Sequence, residues 1–175
     1  MTTAAVALTN ELVFEDLVRE HARMVFSIAF HFLHNSSAAE EVSQDVFFEL
    51  SKKLSALESR DHVTFWLRRV ACHRSIDYAR HNKRLAAEVA LENQPEPSHA
   101  PTVKDPMLSR RLKQLIAGLP EKMRMVILLR YQEEAGLEEI ASIMGIPVNT
   151  VKSTLHRAHA MLRTKMEQTM GEVRA

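Results

Sequence analysis

Lys152, Ser153, His156 and Arg157 recur three and four residues apart within residues 137–166, with Asn149 and Thr150 just ahead of them. Helical spacing puts these donors on one side. Arginine and lysine fork onto guanine edges in a major groove, and a helix N-terminus favours phosphate. The same pattern would also suit the solvated face of an ordinary helical hairpin. What favours DNA is the turn in front of it. Leu137, Ile140, Ala141 and Met144 form one apolar set, and Val151, Leu155, Ala158, Leu162 and Met166 form a second, with Gly145-Ile146-Pro147 between. Glycine supplies a left-handed C′ residue and proline stops the first helix. Asn149 is the expected N-cap of the second helix. Two helices around such a turn, the second with a hydroxyl- and base-rich face, read as a helix-turn-helix.

A second group of residues suited to nucleic acid lies upstream. Trp66 stands among Arg68, Arg69, Arg74 and Arg80. Rings stack on unpaired bases while cations follow phosphates, so this mixture suits a single strand. A tryptophan at helical spacing is also ordinary core, and pattern alone leaves that choice open. No Gly-rich phosphate loop, catalytic carboxylate pair, nucleophile elbow or Cys/His cluster is present, so no catalysis and no cofactor are expected. His31 and His34 lack a third and fourth ligand, which argues against a metal site.

Helices must position these groups. Residues from Thr9-Asn10-Glu11 to His34-Asn35 carry the stripe Phe14, Leu17, Val18, His21, Val25, Ile28, Ala29 and Phe32. Ser37 and Glu40 have capping-box spacing for a second helix, with Val42, Val46, Phe47, Leu50, Leu54 and Leu57 inward and Phe48 widening the stripe. Residues 58–64 read as a loop, and Thr64 as the cap of a third helix reaching about Lys83. Alanine and carboxylates, then three prolines, mark residues 85–106 as a linker. Asp105-Pro106 begins a fourth helix, Pro120-Glu121 a fifth, and Gly136 ends that fifth. The expected fold class is all-α: two small helical bundles, 1–84 and 107–175, joined by a flexible linker. The linker's roughly 20 residues span about 70 Å extended and about 25 Å as a coil.

The net charge of +1 conceals segregation. Residues 1–61 carry ten carboxylates against five bases, whereas residues 62–84 carry six bases against Asp77 alone. Residues 85–106 carry four carboxylates against Lys104, and 107–175 carry eleven bases against seven carboxylates. Two basic stretches separated by an acidic one suit two contacts on one polyanion. No run approaches the roughly 18 apolar residues of a membrane span, so no membrane insertion is expected. The lone Cys72 excludes an internal disulfide framework and points to a reducing, cytoplasmic setting.

Taken in order, these segments resemble extracytoplasmic-function (ECF) sigma factors, the two-domain branch of the bacterial sigma-70 family. Ala39-Glu40-Glu41-Val42-Ser43-Gln44-Asp45-Val46-Phe47 is similar to the family's helix of acidic pair, glutamine and aromatic. Phe65-Trp66-Leu67-Arg68-Arg69-Val70-Ala71 and Ser75-Ile76-Asp77-Tyr78-Ala79-Arg80 look like its Trp-Leu-x-Arg-Ile-Ala and Ala-Ile-Asp-x-x-Arg patterns. Leu119-Pro120-Glu121, Leu128-Leu129-Arg130-Tyr131, Glu139-Ile140-Ala141 and Val151-Lys152-Ser153 follow in the family's order. The resemblance covers nearly all of residues 14–166.

The resemblance implies an initiation factor that binds core RNA polymerase and directs it to promoter DNA. Glu41, Gln44, Asp45 and Phe48 would contact the polymerase. Arg60, Asp61, His62, Trp66, Arg69, His73, Arg74, Asp77 and Arg80 would engage the melted minus-ten strand. Asn149, Thr150, Lys152, Ser153, His156 and Arg157 would read the minus-thirty-five duplex. An anti-sigma factor is an implied partner. Three positions depart from the family pattern: Cys72-His73 replaces Arg-Asn, Thr154 replaces an arginine, and Asn149 replaces a glycine. Two other readings fit the residues taken alone. One is a helix-turn-helix operator-binding regulator with an N-terminal dimerisation domain; the other is a sigma mimic that titrates an inhibitor.

Overall fold

The computed structural model describes residues 3–89 and 106–172, with side chains from 13–85 and 112–168. Most of the expected linker, and the expected cap Asp105, lie outside the described residues. All regular structure described is helical, in two compact units, Met1–Tyr78 and Ala79–Ala175. The division falls inside the third helix.

The N-terminal body is built from α1 (Thr3–Leu33), α2 (Ser36–Lys53) and α3 (Arg60–Val89), with a 3-10 turn, Leu54–Ala56, after α2. Its core interleaves Val25, Ile28 and Phe32 of α1, Val42, Val46 and Leu50 of α2, and Leu67 and Ala71 of α3, all essentially inaccessible. The expected stripes on α1 and α2 therefore face inward, His21 included, with Phe48 the exception. His21 is buried, its Nε2 3.9 Å from Glu20. Phe48 does not widen the buried stripe; it is 61% exposed.

Several boundaries in this body differ from expectation: α3 runs past Lys83 to Val89, into the expected linker, and the start of α2 and of α3 is set by local hydrogen bonds. The first helix begins at Thr3, ahead of Thr9. Its end is set by His34, whose left-handed φ of 55° turns the chain while its N–H donates to Phe30 O. Asn35, not Ser37, then caps α2: its Oδ1 accepts from Ala38 N at 2.9 Å from an extended backbone. Ser37 lies inside the helix, and the Ser37/Glu40 capping box does not form. The third helix starts at Arg60 because Ser59 Oγ accepts from His62 N and Ser59 O from Val63 N. Thr64 is no cap. Its hydroxyl donates back to Arg60 O at 2.9 Å, a bond made inside a continuing helix.

The C-terminal body comprises α4 (Pro106–Ala117), α5 (Glu121–Tyr131), α6 (Leu137–Met144) and α7 (Val148–Glu172). Leu119, Ile127 and Ala158 anchor one cluster, with Met123, Leu155 and Leu162 packed on it. Met125, Leu129, Ile140, Ile143 and Val151 are also inaccessible. Two cations close the open end of α4. Arg124 donates to Ala117 O and Lys165 to Gly118 O, both at 3.1 Å. Carbonyls at a helix C-terminus carry partial negative charge, so bases belong there. Burial at this position lowers the Arg124 pKa, and Glu121 opposes that shift.

Helix α5 ends at Tyr131, before the expected Glu134, and Gly136 begins α6 instead of ending α5. Between them Leu128 O accepts from both Gln132 and Glu133, and Leu129 O accepts from Ala135. Glu134 takes a left-handed φ of 53° to bring Ala135 back into the core, where it is 3% exposed. Arg130 fixes the turn by donating to Ala135 O at 3.0 Å.

Candidate nucleic-acid interface

Helices α6 and α7 meet at the expected turn. Gly145 is left-handed, φ 64° and ψ 38°, and both its N–H and that of Ile146 donate to Ala141 O. Pro147 O then accepts from Thr150 and Val151, starting α7 at Val148. Asn149 is thus not the N-cap. It sits within the first turn, exposed, so its amide is free of any capping duty.

Val151 and Ala158 anchor α7 on its inner side, which turns Lys152, Ser153, His156 and Arg157 outward. Thr150 is half-buried. Two of these groups lean on their own helix: Ser153 Oγ donates to Thr150 O at 3.1 Å, and Arg157 Nε to Ser153 O at 3.3 Å. The Arg157 contact uses only Nε, leaving both terminal nitrogens of the guanidinium to meet a ligand. Beside these residues, two exposed side chains that the sequence does not pair come together. Tyr131 at the end of α5 bonds His159 of α7, Oη to Nε2 at 2.9 Å, with ring centroids 5.7 Å apart. They are 28 residues apart in sequence, and no periodicity joins two helices in that way.

Helix α3 carries the second group. His62, Trp66, Arg69, His73, Asp77 and Arg80 recur at fours and threes and share one side. His62, Arg69, Asp77 and Arg80 are exposed; Trp66 and His73 are half-buried. Trp66 is half-buried, which leaves open the choice between core and base platform. Arg60, Asp61 and Arg74 lie off this stripe. Arg60 pairs with Glu20 at 2.7 Å, and Arg74 pairs with Glu49. The structure therefore does not bring these three to the group formed by the other six.

On α2, Glu41, Gln44, Asp45 and Phe48 form an exposed ridge at threes and fours. Lys52 continues it, its Nζ 3.8 Å from the Phe48 ring centroid. Glu41 is also tied internally, accepting from Tyr78 Oη at 3.1 Å. An exposed phenyl among carboxylates suits a protein partner better than a nucleic-acid backbone, which the carboxylates would repel.

Each of the two bodies matches a known family. The sigma-70 region 2 family matches residues 17–85, and the sigma-70 region 4 family matches residues 109–162. The ECF RNA polymerase sigma factor SigW of Bacillus subtilis is 31% identical over 166 residues, covering 87% of this chain and 88% of that protein. The RNA polymerase sigma factor CarQ of Myxococcus xanthus is 28% identical, covering 91% and 92%. The fold is shared with the sigma factor RpoE solved in complex with the anti-sigma factor NepR from Bartonella quintana. That match has a TM-score of 0.71 at 18% identity and covers 88% of this chain and 96% of that one. It is shared too with CnrH in complex with the cytosolic domain of CnrY, at a TM-score of 0.65 and 21% identity over 94% of each.

The chain belongs to the ECF family of RNA polymerase sigma factors. It is a factor for promoter-specific initiation and not an enzyme, and the operator-binding reading falls away. Among the described residues no helix is long and apolar enough to cross a membrane.

Proposed function

We propose that the three exposed ridges divide the work of initiation. The α2 ridge, Glu41, Gln44, Asp45 and Phe48, docks on core RNA polymerase. The α3 stripe, His62, Trp66, Arg69, His73, Asp77 and Arg80, holds the melted minus-ten strand. An extruded base costs a few kcal/mol of lost stacking, which a ring and flanking cations offset. On α7, Asn149, Lys152, Ser153, His156 and Arg157 read the minus-thirty-five duplex, with Thr150 at the margin. Arg60, Asp61 and Arg74 play a supporting part: Arg60 and Arg74 orient α3 through Glu20 and Glu49. The working domains are 1–84 and 107–175 with 85–106 as tether, which lets two modest contacts act at high effective concentration. The protein works in the cytoplasm, where its polymerase is.

The observation that carries this reading is the outward display on α7 of two bases, a histidine and a hydroxyl behind a glycine-proline turn. Transcription of fragmented genomic DNA from the producing bacterium by core polymerase, with and without the protein, tests it. Sequencing of RNA 5′ ends should reveal protein-dependent starts sharing two elements of fixed spacing. Failure of the purified chain to co-elute with core polymerase would remove the reading. An anti-sigma factor is a further partner in this proposal, supported by the shared fold of two proteins solved in complex with such factors or a cytosolic domain. Affinity purification from native cells before and after stress should recover it; recovery with polymerase alone in every condition contradicts it.

A further inference from the structure

Lys152, His156, His159 and Arg163 are spaced by four, three and four residues and are all exposed, making one basic ridge along α7. At 1.5 Å per residue the ridge is about 16 Å long, whereas a major groove is about 12 Å wide. A helix whose first turns meet base edges therefore carries the far end of such a ridge out to the sugar-phosphate backbone. His159 stands at that exit, bonded to Tyr131, which is 61% exposed. The hydrogen-bond chemistry of the pair is one-sided. If Tyr131 donates to Nε2, the imidazole keeps an Nδ1–H donor; if Nε2–H donates to Oη, the phenol keeps its O–H. Either tautomer leaves a donor to spare, and a protonated ring leaves two. Two carboxylates, Glu133 and the exposed Glu134, follow Tyr131 in the turn after α5.

We propose that Tyr131 and His159 form a phosphate-binding pair that grips the duplex backbone beside the minus-thirty-five element and sets how deeply α7 enters the groove. This rests on the reading of α7 as the duplex reader. A pair that serves the backbone adds affinity without sequence preference, unlike Arg157.

The test uses the full-length protein with core polymerase on a duplex promoter mapped as above. The DNA is made in versions carrying a single neutral methylphosphonate at successive positions around the upstream element. Tyr131→Phe and His159→Gln should each weaken binding about two- to tenfold, equally on matched and mismatched elements. On the one fragment whose neutralised phosphate meets the pair, wild type and variants should bind alike. Unchanged binding by both variants overturns the proposal. So does a loss that persists at every neutralised position, which would make the pair an internal tie between α5 and α7. Arg157→Ala separates this failure from that of the parent reading: if it too leaves upstream-element recognition unchanged, α7 is not the reader at all.

Discussion

Glu134 is an acidic side chain held at φ 53°, a backbone region where glycine is at ease and an L-residue meets its own carbonyl. The turn needs that geometry, because it returns Ala135 to the core and presents its carbonyl to Arg130. For an ordinary residue the left-handed conformation costs about 1–2 kcal/mol. Glycine removes that cost but gives back about 0.4–1 kcal/mol through its greater freedom when unfolded. Glu134→Gly should thus stabilise the turn by about 0.5–1 kcal/mol, which corresponds to about two- to fivefold slower opening by the same free-energy conversion. Amide hydrogen exchange followed by mass spectrometry reads this locally, in peptides covering residues 125–145, without mixing in the other body. Glu134→Ala removes the charge but keeps the Cβ, and should show no slowing. Gly145→Ala, at φ 64°, should move the other way by a similar factor. Equal exchange in Glu134→Gly and Glu134→Ala would show that backbone conformation is not what limits this turn, and the reasoning would fail.

Arg157→Ala should lower the preference for the matched upstream element by about 1–3 kcal/mol while leaving non-specific duplex binding nearly intact, measured by competition on point-substituted promoters. Asn35→Ala should cost about 1 kcal/mol in urea unfolding, whereas Ser37→Ala, inside the first turn of α2, should cost far less; equal losses would restore the capping-box reading. Phe48→Ala should weaken capture of core polymerase with little change in melting temperature, since the ring is already in water. Leu50→Ala, two residues away and inaccessible, should cost about 2–5 kcal/mol of stability, and the contrast is readable by thermal melting beside a pull-down.

Periodicity exposed most of the architecture. Val42, Val46 and Leu50, or Val151 and Ala158, point inward because a 3.6-residue repeat leaves them no other common side. Gly145 and Pro147 located the helix-turn-helix turn for a steric reason that holds wherever the two residues fall so close together. What escaped were choices between near neighbours. Asn35 and Ser37 can both cap a helix, and the outcome depends on which backbone is extended. Thr64 carries the same hydroxyl whether it caps a helix or bonds backwards within one, so the true start at Arg60 was hidden behind it. Asn149 is a similar case: it has the chemistry of an N-cap, but Pro147 O, ahead of it in the chain, already accepts from Thr150 and Val151. Of the nine α3 residues grouped from the sequence, six share a side; Arg60 and Arg74 are diverted by Glu20 and Glu49, carboxylates on other helices. The Tyr131–His159 pair and the left-handed Glu134 have no local signature, because each depends on where a second helix lies.

Arg124, Arg130 and Lys165 give their donors to the carbonyls of Ala117, Ala135 and Gly118. A tally of basic residues in this half of the chain therefore does not equal its number of phosphate contacts, because these three side chains keep their charge but are held in place at helix ends and a turn. Ionic-strength titrations should show it: each phosphate neutralised contributes a slope of about 0.9 in the logarithmic plot, and Lys152, Arg157 and Arg163 on α7 should account for the upstream contribution. Neutralising Lys165 would then loosen the fold and leave that slope where it was.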